Sequence, residues 1–446
     1  MKAFVCVFLF CQISTFGQIP TAIFRNSPSS NTVLTDSVQN YIMLGPNFQF
    51  LPQIGKYYES FITSGDILVE WPKSNQVFQR NNFNQGWIYA KGFCTNLEID
   101  SLKIIVKNLN SIVASKNILV GVDGSFETAI NAPGGNYDVE ILEFYTKGIF
   151  KNKGIRKIVS NVGIGEVLVA WGHSFMSGPG VFIPSQNPLA RTVSGTFSES
   201  VNPFFQDLSQ IPISFKTLSE GVGPFNGDCW FLGMLADTLI NRLNVPVLVY
   251  SAAFGGSNIY MNKKNIDNQP FGFTWFWNGA FQNNRFPYRI IEAIFQRYVP
   301  KTGVRGMIVH HGINDVNPTN ASPNIQTEAN FKYELEYVLN NIRNNQAFFP
   351  DMPFFLSFER SNYPIVNNPI QAIINNDPYI FPGVDLRKPA TEGPWRDEGY
   401  GCNGCGHFVG TYGLQKYLEF WKDVIPNSFF STSPMKEAII DNSLKF

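Results

Sequence analysis

The segment "GEVLVAWGHSFMSG", residues 165–178, decides the fold of the larger part of this chain. Residues 167–171 form a short apolar run, which is typical of a strand buried on both faces of a parallel sheet. The run stops at Gly172, and His173 and Ser174 follow at once. Ligands of open α/β sheets bind at the carboxyl ends of the strands, so Ser174 is a candidate nucleophile.

Downstream of this segment, apolar runs alternate with helical patterns of hydrophobic residues. Buried strands that alternate with helices predict βαβ units and a parallel sheet covered on both faces. Strands are predicted at residues 167–171, 245–252, 304–310 and 352–358, and helices at residues 230–243, 288–298, 330–344 and 414–424.

The upstream part has a different pattern. Residues 66–162 contain short strand-like segments separated by the turn sequences VDGS, APGGN and KNKG. This spacing predicts a smaller antiparallel β-sandwich domain ahead of the α/β part. Residues 18–65 are rich in Ser, Asn, Thr and Pro, and we treat them as an unassigned N-terminal extension.

The first 17 residues have the pattern of a secretory signal peptide. Met1 and Lys2 precede an apolar run over residues 3–10, and small and polar residues follow up to Gly17. We therefore expect a secreted or periplasmic protein. No later segment approaches 18 consecutive apolar residues, so no membrane span is expected. The 34 basic and 34 acidic residues balance, and no basic run marks a nucleic-acid partner.

Four cysteines would remain after removal of residues 1–17. In an exported protein they favour disulfides, although free thiols stay open. One of the three possible pairings joins Cys402 to Cys405 and leaves Cys94 with Cys229. Neither these cysteines nor the four histidines have the spacing of a zinc site, so we expect no metal, and no cofactor motif is present.

Polar residues and glycines follow each predicted strand of the α/β part. The first strand is followed by Ser174, the second by Gly255 and Gly256 in "SAAFGGSNI", and the third by Asn314 in "HHGIND". His407 comes just before the last predicted helix. Acyl transfer needs these parts, because a histidine activates the serine and fixed N–H donors stabilise the oxyanion.

Together these blocks resemble the SGNH, or GDSL-like, hydrolases, and in particular their sialate O-acetylesterase and carbohydrate-esterase branch. The blocks that carry the likeness are "GEVLVAWGHSFMSG", "GGSNI", "GIND" and "GHF…GLQKYLEFW", and the likeness covers about residues 163–425. It implies a three-layer α/β/α catalytic domain, which we place at residues 163–430 before a tail at residues 431–446. It also implies that Ser174 is the nucleophile and His407 the general base. The oxyanion hole would comprise the Ser174 N–H, Gly255 or Gly256, and Asn314.

The chain departs from the branch at three positions. His173 and Phe175 replace Gln and Asn, and we expect both, with His311, to contact substrate. Gly404 stands where the family has its acid, three residues before the histidine. Asp397 is the predicted replacement, Asp385 is the next candidate, and a site without an acid is the third possibility.

The function expected from this resemblance is that of a secreted serine esterase that removes acetyl groups from carbohydrate. Apart from acetylated carbohydrate no partner is expected, and the oligomeric state is open. A non-catalytic carbohydrate-binding protein on the same fold is the alternative, favoured by Gly404 but opposed by the retained Ser174, Asn314 and His407. The Gly-x-Ser-x-Gly elbow of α/β-hydrolases fits less well, because Met176 occupies its last position.

Overall fold

The computed structural model describes ten segments of the chain and four short strands that precede them. The segments are residues 67–96, 99–146, 155–178, 183–194, 207–219, 221–224, 230–269, 285–316, 327–396 and 406–445. The predicted signal peptide, Cys229, Asp397, Cys402 and Cys405 lie outside the described residues. The four early strands belong to a unit of their own, Met1–Ser60. They are β1 Phe24–Arg25, β2 Thr32–Thr35, β3 Tyr41–Leu44 and β4 Gln49–Phe50.

The second unit, Phe61–Phe446, begins with antiparallel strands. One sheet has the strand order β10-β7-β5. The antiparallel part of a second, larger sheet has the strand order β12-β11-β8-β9. Buried residues of both form a single hydrophobic cluster that includes Ile88, Phe126, Ile104 and Val139. A separate sandwich domain stays a prediction. The strands are β5 Ile67–Trp71, β6 Val77–Gln79, β7 Gln85–Cys94, β8 Ile99–Asn108, β9 Ser111–Leu119, β10 Ser125–Pro133, β11 Gly135–Thr146 and β12 Arg156–Gly172.

Strand β12 takes part in both halves of this unit. Its first half pairs antiparallel with β11. Arg156 lies opposite Leu142 at one end of this pairing, and Ile164 lies opposite Gly135 at the other end. Its last residues pair in parallel with two further strands, β15 Val247–Ser251 and β17 Gly306–His310. The boundary that we expected between residues 162 and 163 falls inside this strand.

The central sheet has the strand order β14-β13-β15-β12-β17-β18-β19. All of its pairs are parallel except β13 with β14. This confirms the expectation of an α/β fold with a largely parallel central sheet. The remaining strands are β13 Ala190–Val193, β14 Phe215–Thr217, β16 Gly303–Val304, β18 Phe354–Phe358, β19 Ile380–Asp385 and β20 Lys436–Glu437.

Helices cover both faces of this sheet. Alternate residues of β12 point to opposite faces and pack with helix residues in two different hydrophobic clusters. Val167 and Val169 pack with Phe331 and Ile370, whereas Leu168 and Ala170 pack with residues such as Leu235 and Leu414. In the described part of the chain, every helix is too short or too polar to span a bilayer. The helices are α1 Ser174–Ser177, α2 Leu232–Leu243, α3 Ile259–Ile266, α4 Tyr288–Ala293, α5 Val299–Thr302, α6 Ile313–Val316, α7 Glu328–Asn341, α8 Pro364–Asn376, α9 Gly410–Lys422 and α10 Phe429–Thr432.

The order of the strands reverses at β12. After β12 the chain forms β13 and β15 on one side of it, and then β17, β18 and β19 on the other side. Such a switch point leaves a crevice at the carboxyl ends of the strands, where ligands of open α/β sheets bind. Ser174 follows β12 at this place.

Candidate active site

A tight turn joins β12 to the short helix α1, which Ser174 begins. At Gly172, a Cβ atom would lie 2.3 Å from the His310 carbonyl oxygen and 2.6 Å from Met176 Cγ. Only glycine therefore allows β17 and α1 to approach the end of β12 this closely. The N–H of His173 donates to the same His310 carbonyl at 3.2 Å, which fixes the turn.

The hydroxyl of Ser174 contacts His407. The distance from Ser174 Oγ to His407 Nε2 is 2.6 Å, although 233 residues separate the two in sequence. His407 lies just before α9, and Arg396 holds the preceding residue through a 2.6 Å hydrogen bond from its Nε to the Gly406 carbonyl. A neutral imidazole whose Nε2 accepts from a serine hydroxyl is the arrangement of a general base and its nucleophile.

The described residues do not identify the acid that would be the third member of a catalytic triad. Asp397 lies outside the described residues. Asp385, the second candidate, accepts from Arg387 through the arginine Nε at 2.8 Å and the backbone N–H at 3.1 Å. Burial alone would raise the pKa of the Asp385 carboxyl, but the hydrogen bonds from Arg387 hold it below its ordinary value. That carboxylate is therefore engaged by Arg387.

The other strand ends meet beside Ser174. The amide of Asn314 in α6 donates from Nδ2 to the Ser257 carbonyl at 3.0 Å, and Ser257 Oγ donates to the Gly172 carbonyl at 3.2 Å. These bonds tie the loops after β15 and β17 to the end of β12. An amide nitrogen carries two N–H groups, so Asn314 keeps one for a further acceptor.

The two predicted glycine donors lie in the loop after β15. A Cβ at Gly255 would be 3.7 Å from Ser177 Oγ, so this residue lies against α1 without a steric need for glycine. Gly256 has a φ of 77°. The structure places this loop against α1, and a role of Gly255 or Gly256 in the oxyanion hole stays a prediction.

Asp315, the residue after Asn314, has a structural role. Its carboxylate accepts from the N–H groups of Ile259 at 3.0 Å and Tyr260 at 3.3 Å, at the start of α3. Burial raises the pKa of this carboxyl well above its ordinary value, against the effect of those two hydrogen bonds. Asp315 thereby joins α3 to α6, the short helix that carries Asn314.

A buried polar cluster lies directly beneath the serine. His173 Nδ1 accepts from the Phe175 N–H at 3.3 Å, and His173 Nε2 lies 3.0 Å from Glu359 Oε1. Because Nδ1 accepts, Nε2 carries the proton and donates it to the carboxylate. His310 lies beside them, with Nδ1 2.7 Å from the Tyr417 hydroxyl and Nε2 3.7 Å from Glu359 Oε1.

The charges of this cluster are set by burial and by its members' contacts. Burial alone would raise the pKa of the Glu359 carboxyl, but the interactions with His310 and His173 hold it well below its ordinary value. Burial lowers the pKa of His310, which Glu359 counteracts only in part. Burial is the main cause that holds the pKa of His311 well below its ordinary value, the electrostatic interactions with His173 and His310 act in the same direction, and Glu359 opposes them in part. Glu359 is thus ionised at neutral pH, and His310 and His311 are neutral.

This cluster also supplies the residues that could hold a metal ion. The ligand atoms of His173, His310 and Glu359 all lie within 4.8 Å of one another. In the structure, however, the carboxylate oxygen Oε1 already accepts from His173 and from the Ile313 N–H at 2.9 Å. The arrangement is that of a hydrogen-bonded network, and the absence of a metal stays a prediction.

The three residues expected to contact substrate are buried. His173 is 0% exposed, Phe175 1% and His311 3%. The ring of Phe175 packs against His310 at 4.8 Å and against His407 at 5.5 Å between ring centroids. The contacts seen for these side chains are with other buried residues beneath Ser174. A role in substrate binding stays a prediction for all three.

Sequence reasoning missed two charged residues near the site, Glu359 and Arg396. Glu359 directly follows the apolar strand β18, so the strand-end rule that selected Ser174 and Asn314 also applies to it. Arg396 is buried, and its guanidinium lies 4.8 Å from the centre of the Phe408 ring. The contact of Arg396 could not be predicted from the sequence, because its partner, the Gly406 carbonyl, is a backbone atom.

Comparisons with known proteins yield only distant likenesses. No family model and no curated protein sequence matches the chain. Among solved structures, a carbohydrate acetylesterase of Xanthomonas citri has a TM-score of 0.43 at 14% identity, over 70% of this chain and 67% of that one. A protein of Arabidopsis thaliana has a TM-score of 0.35 at 11% identity, over 60% and 99% of the two chains. A lipase/acylhydrolase of Enterococcus faecalis has a TM-score of 0.29 at 14% identity, over 58% and 95%. TM-scores below 0.5 do not establish a shared fold or a shared activity.

Proposed function

We propose that this protein is a serine ester hydrolase of the SGNH type that removes acetyl groups from carbohydrate. The observation that carries the proposal is the 2.6 Å contact between Ser174 Oγ and His407 Nε2 at the switch point of the sheet. A hydroxyl hydrogen-bonded to an imidazole, in the crevice where ligands of such sheets bind, is suited to nucleophilic catalysis.

The reaction has two steps. In the first, His407 takes the proton of the Ser174 hydroxyl as Oγ attacks the ester carbonyl, and it then gives that proton to the leaving alcohol. The oxyanion accepts hydrogen bonds from the Ser174 N–H, from Gly255 or Gly256, and from the Asn314 amide. In the second step His407 takes a proton from the water that attacks the acyl-serine, and it returns this proton to Ser174 Oγ as the acyl–Oγ bond breaks and the carboxylic acid leaves. Asp397 orients the imidazole of His407 in this scheme.

The acetylated-carbohydrate substrate follows from the resemblance of the four sequence blocks to carbohydrate esterases. The Xanthomonas citri protein, a carbohydrate acetylesterase, is consistent with that choice but does not carry it. The predicted signal peptide at residues 1–17 adds the proposal that the enzyme acts outside the cytoplasm.

The first experiment measures hydrolysis of 4-nitrophenyl acetate and of acetylated sugars by the protein and by three variants. Ser174→Ala is expected to lower kcat by about 10⁴- to 10⁶-fold, as removal of a catalytic nucleophile does. Asp397→Asn is expected to lower kcat by up to about 10⁴-fold, because the imidazole loses its orienting carboxylate. Ser177→Ala is the matched control, since Ser177 ends the same four-residue helix α1.

The outcomes separate the two functions. Turnover that disappears in Ser174→Ala and persists in Ser177→Ala supports the esterase. If no ester is hydrolysed and acetylated sugars bind equally well to the Ser174→Ala protein, the non-catalytic binding protein is the better description. Equal turnover by Ser174→Ala and by the unchanged protein removes Ser174 from the mechanism.

A further inference from the structure

Glu359 is a buried carboxylate that contacts both the residue before Ser174 and the residue before Asn314. It is 0% exposed and directly follows β18. Its Oε1 atom accepts from His173 on the serine side and from the Ile313 N–H on the Asn314 side. The mechanism above uses neither Glu359 nor His173.

On the serine side the carboxylate acts through His173. An ionised carboxylate has only acceptor sites, so it fixes the proton of His173 on Nε2. Nδ1 is then left as the acceptor for the Phe175 N–H, at 3.3 Å. His173 thus caps α1 at its first turn, and the orientation of the first residue of that helix, Ser174, depends on the cap.

On the other side the carboxylate acts through the backbone of α6. The Ile313 N–H donates to Oε1 at 2.9 Å, and Ile313 immediately precedes Asn314. At Gly312, with a φ of +152°, a Cβ would lie 2.9 Å from Glu359 Cγ and 2.4 Å from Val366 Cγ1. The chain before α6 therefore packs directly on the side chain of Glu359, which only glycine permits.

The backbone of Glu359 is itself held by Asn367. The Glu359 N–H donates to Asn367 Oδ1 at 2.9 Å, and Asn367 Nδ2 donates back to the Glu359 carbonyl at 3.1 Å. Because Asn367 belongs to α8, this pair of bonds locks the backbone of Glu359 to a helix of the scaffold. A group that is fixed in this way can set the position of the two loops that it touches.

We propose that Glu359 is a positioning residue that sets the Ser174 N–H and the Asn314 amide at the spacing the oxyanion requires. This rests on the proposed esterase function. Because Glu359 is fully buried, we expect its removal to lower kcat and to leave KM nearly unchanged. A positional error of about 1 Å in such a donor pair costs about 10²-fold in rate.

The experiment compares Glu359→Leu, Glu359→Gln and a control, Glu336→Gln, in full-length protein without a histidine tag. Glu336 belongs to α7 and makes a partly exposed i,i+4 pair with Lys332. We expect kcat to fall by about 10²-fold in Glu359→Leu, and by less in Glu359→Gln, because the amide oxygen can still accept from His173 and Ile313. Thermal unfolding of each variant checks that the assays are made on folded protein.

A second measurement reports on the positioning itself. The chain has four histidines, so long-range ¹H–¹⁵N spectra of their rings contain four sets of signals. We expect the His173 ring, assigned by its loss in His173→Gln, to be protonated on Nε2 alone in the unchanged protein and in Glu359→Gln. In Glu359→Leu the ring is expected to populate both tautomers.

Two results would overturn the proposal. One is a Glu359→Leu protein with the kcat of the Glu336→Gln control, or with an unchanged His173 ring spectrum. The other is one equivalent of a metal ion that purifies with the protein and is lost in Glu359→Gln, because Glu359 would then be a ligand. If the unchanged protein hydrolyses no ester, the proposed function fails, and the ring spectra alone decide on the contacts of Glu359.

Discussion

Strand β12 carries two buried polar clusters that differ in how completely their atoms are paired. Near its middle, both carboxylate oxygens of Glu166 accept hydrogen bonds. Their donors are Gln79 Nε2 at 2.9 Å, Arg80 Nε at 2.6 Å, and Arg305 through Nε at 2.9 Å and Nη2 at 3.1 Å. This cluster joins the antiparallel strands to the parallel sheet, and every oxygen of its carboxylate has a partner.

The second cluster, at the carboxyl end of the same strand, is only partly paired. Glu359 Oε2, His310 Nε2 and both ring nitrogens of His311 are buried and have no hydrogen-bond partner among the residues that the structure describes. Folded proteins leave few buried polar atoms unpaired, and such exceptions occur at functional sites. We therefore propose that the Glu166 cluster serves stability and that the cluster beneath Ser174 serves the proposed catalysis.

The largest expected effect on stability comes from the fully paired cluster. Glu166→Gln removes the negative charge that two buried arginines, Arg80 and Arg305, share. Removal of one partner from a buried ion pair costs about 3–5 kcal/mol, because the remaining charge is left uncompensated. We therefore expect the free energy of unfolding, measured in urea, to fall by about that amount.

The control for this change is Glu336→Gln, whose ion pair with Lys332 is partly exposed and is expected to contribute about 0–1 kcal/mol. The kcat of folded Glu166→Gln protein is expected to equal that of the control. If kcat falls and the free energy of unfolding does not, the division of the two clusters into stability and function is wrong.

A smaller effect, mainly on the rate, is expected for Asn314→Ala. The change deletes one proposed oxyanion donor, and the loss of such a donor lowers kcat by about 10²- to 10³-fold. The lost hydrogen bond to the Ser257 carbonyl should cost only about 1 kcal/mol of stability. Steady-state kinetics and urea unfolding of the same preparation measure both quantities.

Ser257→Ala is the matched control for Asn314→Ala. It removes the hydroxyl that donates to the Gly172 carbonyl, in the same group of loops, but leaves the Ser257 carbonyl and the Asn314 amide in place. Its kcat should stay close to that of the unchanged protein. A similar loss of rate in both variants would mean that Asn314 acts by holding the loops and not as a donor.

The α/β fold was predictable because its central strands are buried on both faces. All five residues of β15, β17 and β18 are buried, and each strand contains at least three consecutive apolar residues in the sequence. Strand β19 was missed, since Pro382 and Gly383 within it are signals against a strand. It forms the edge of the sheet, where a missing N–H donor is tolerated.

The candidate site was predictable in so far as its residues follow strands. Ser174 and Asn314 were selected by that rule, and His407 by the likeness of its block to a known family. The network beneath them was not foreseen, because it depends on Glu359 turning inward at the end of β18. A charged residue after a strand looks the same in sequence whether it faces solvent or a buried histidine.

The smallest expected effect is the pH dependence that His311 gives to stability. Burial, His173 and His310 hold its pKa well below the ordinary value, with Glu359 opposing them in part. Between that folded pKa and the unfolded value of about 6.5, the unfolded chain binds more protons. The contribution of neutral His311 to stability is therefore complete above about pH 6.5 and is lost as the pH falls below it, with a slope of up to about 1.4 kcal/mol per pH unit for one proton.

The free energy of unfolding in urea, measured between pH 8 and pH 5, should decline less steeply in His311→Gln than in the Glu336→Gln control. Equal declines in the two proteins would show that the folded state does not disfavour protonation of His311. The electrostatic difference between this cluster and the Glu166 cluster would then be unsupported.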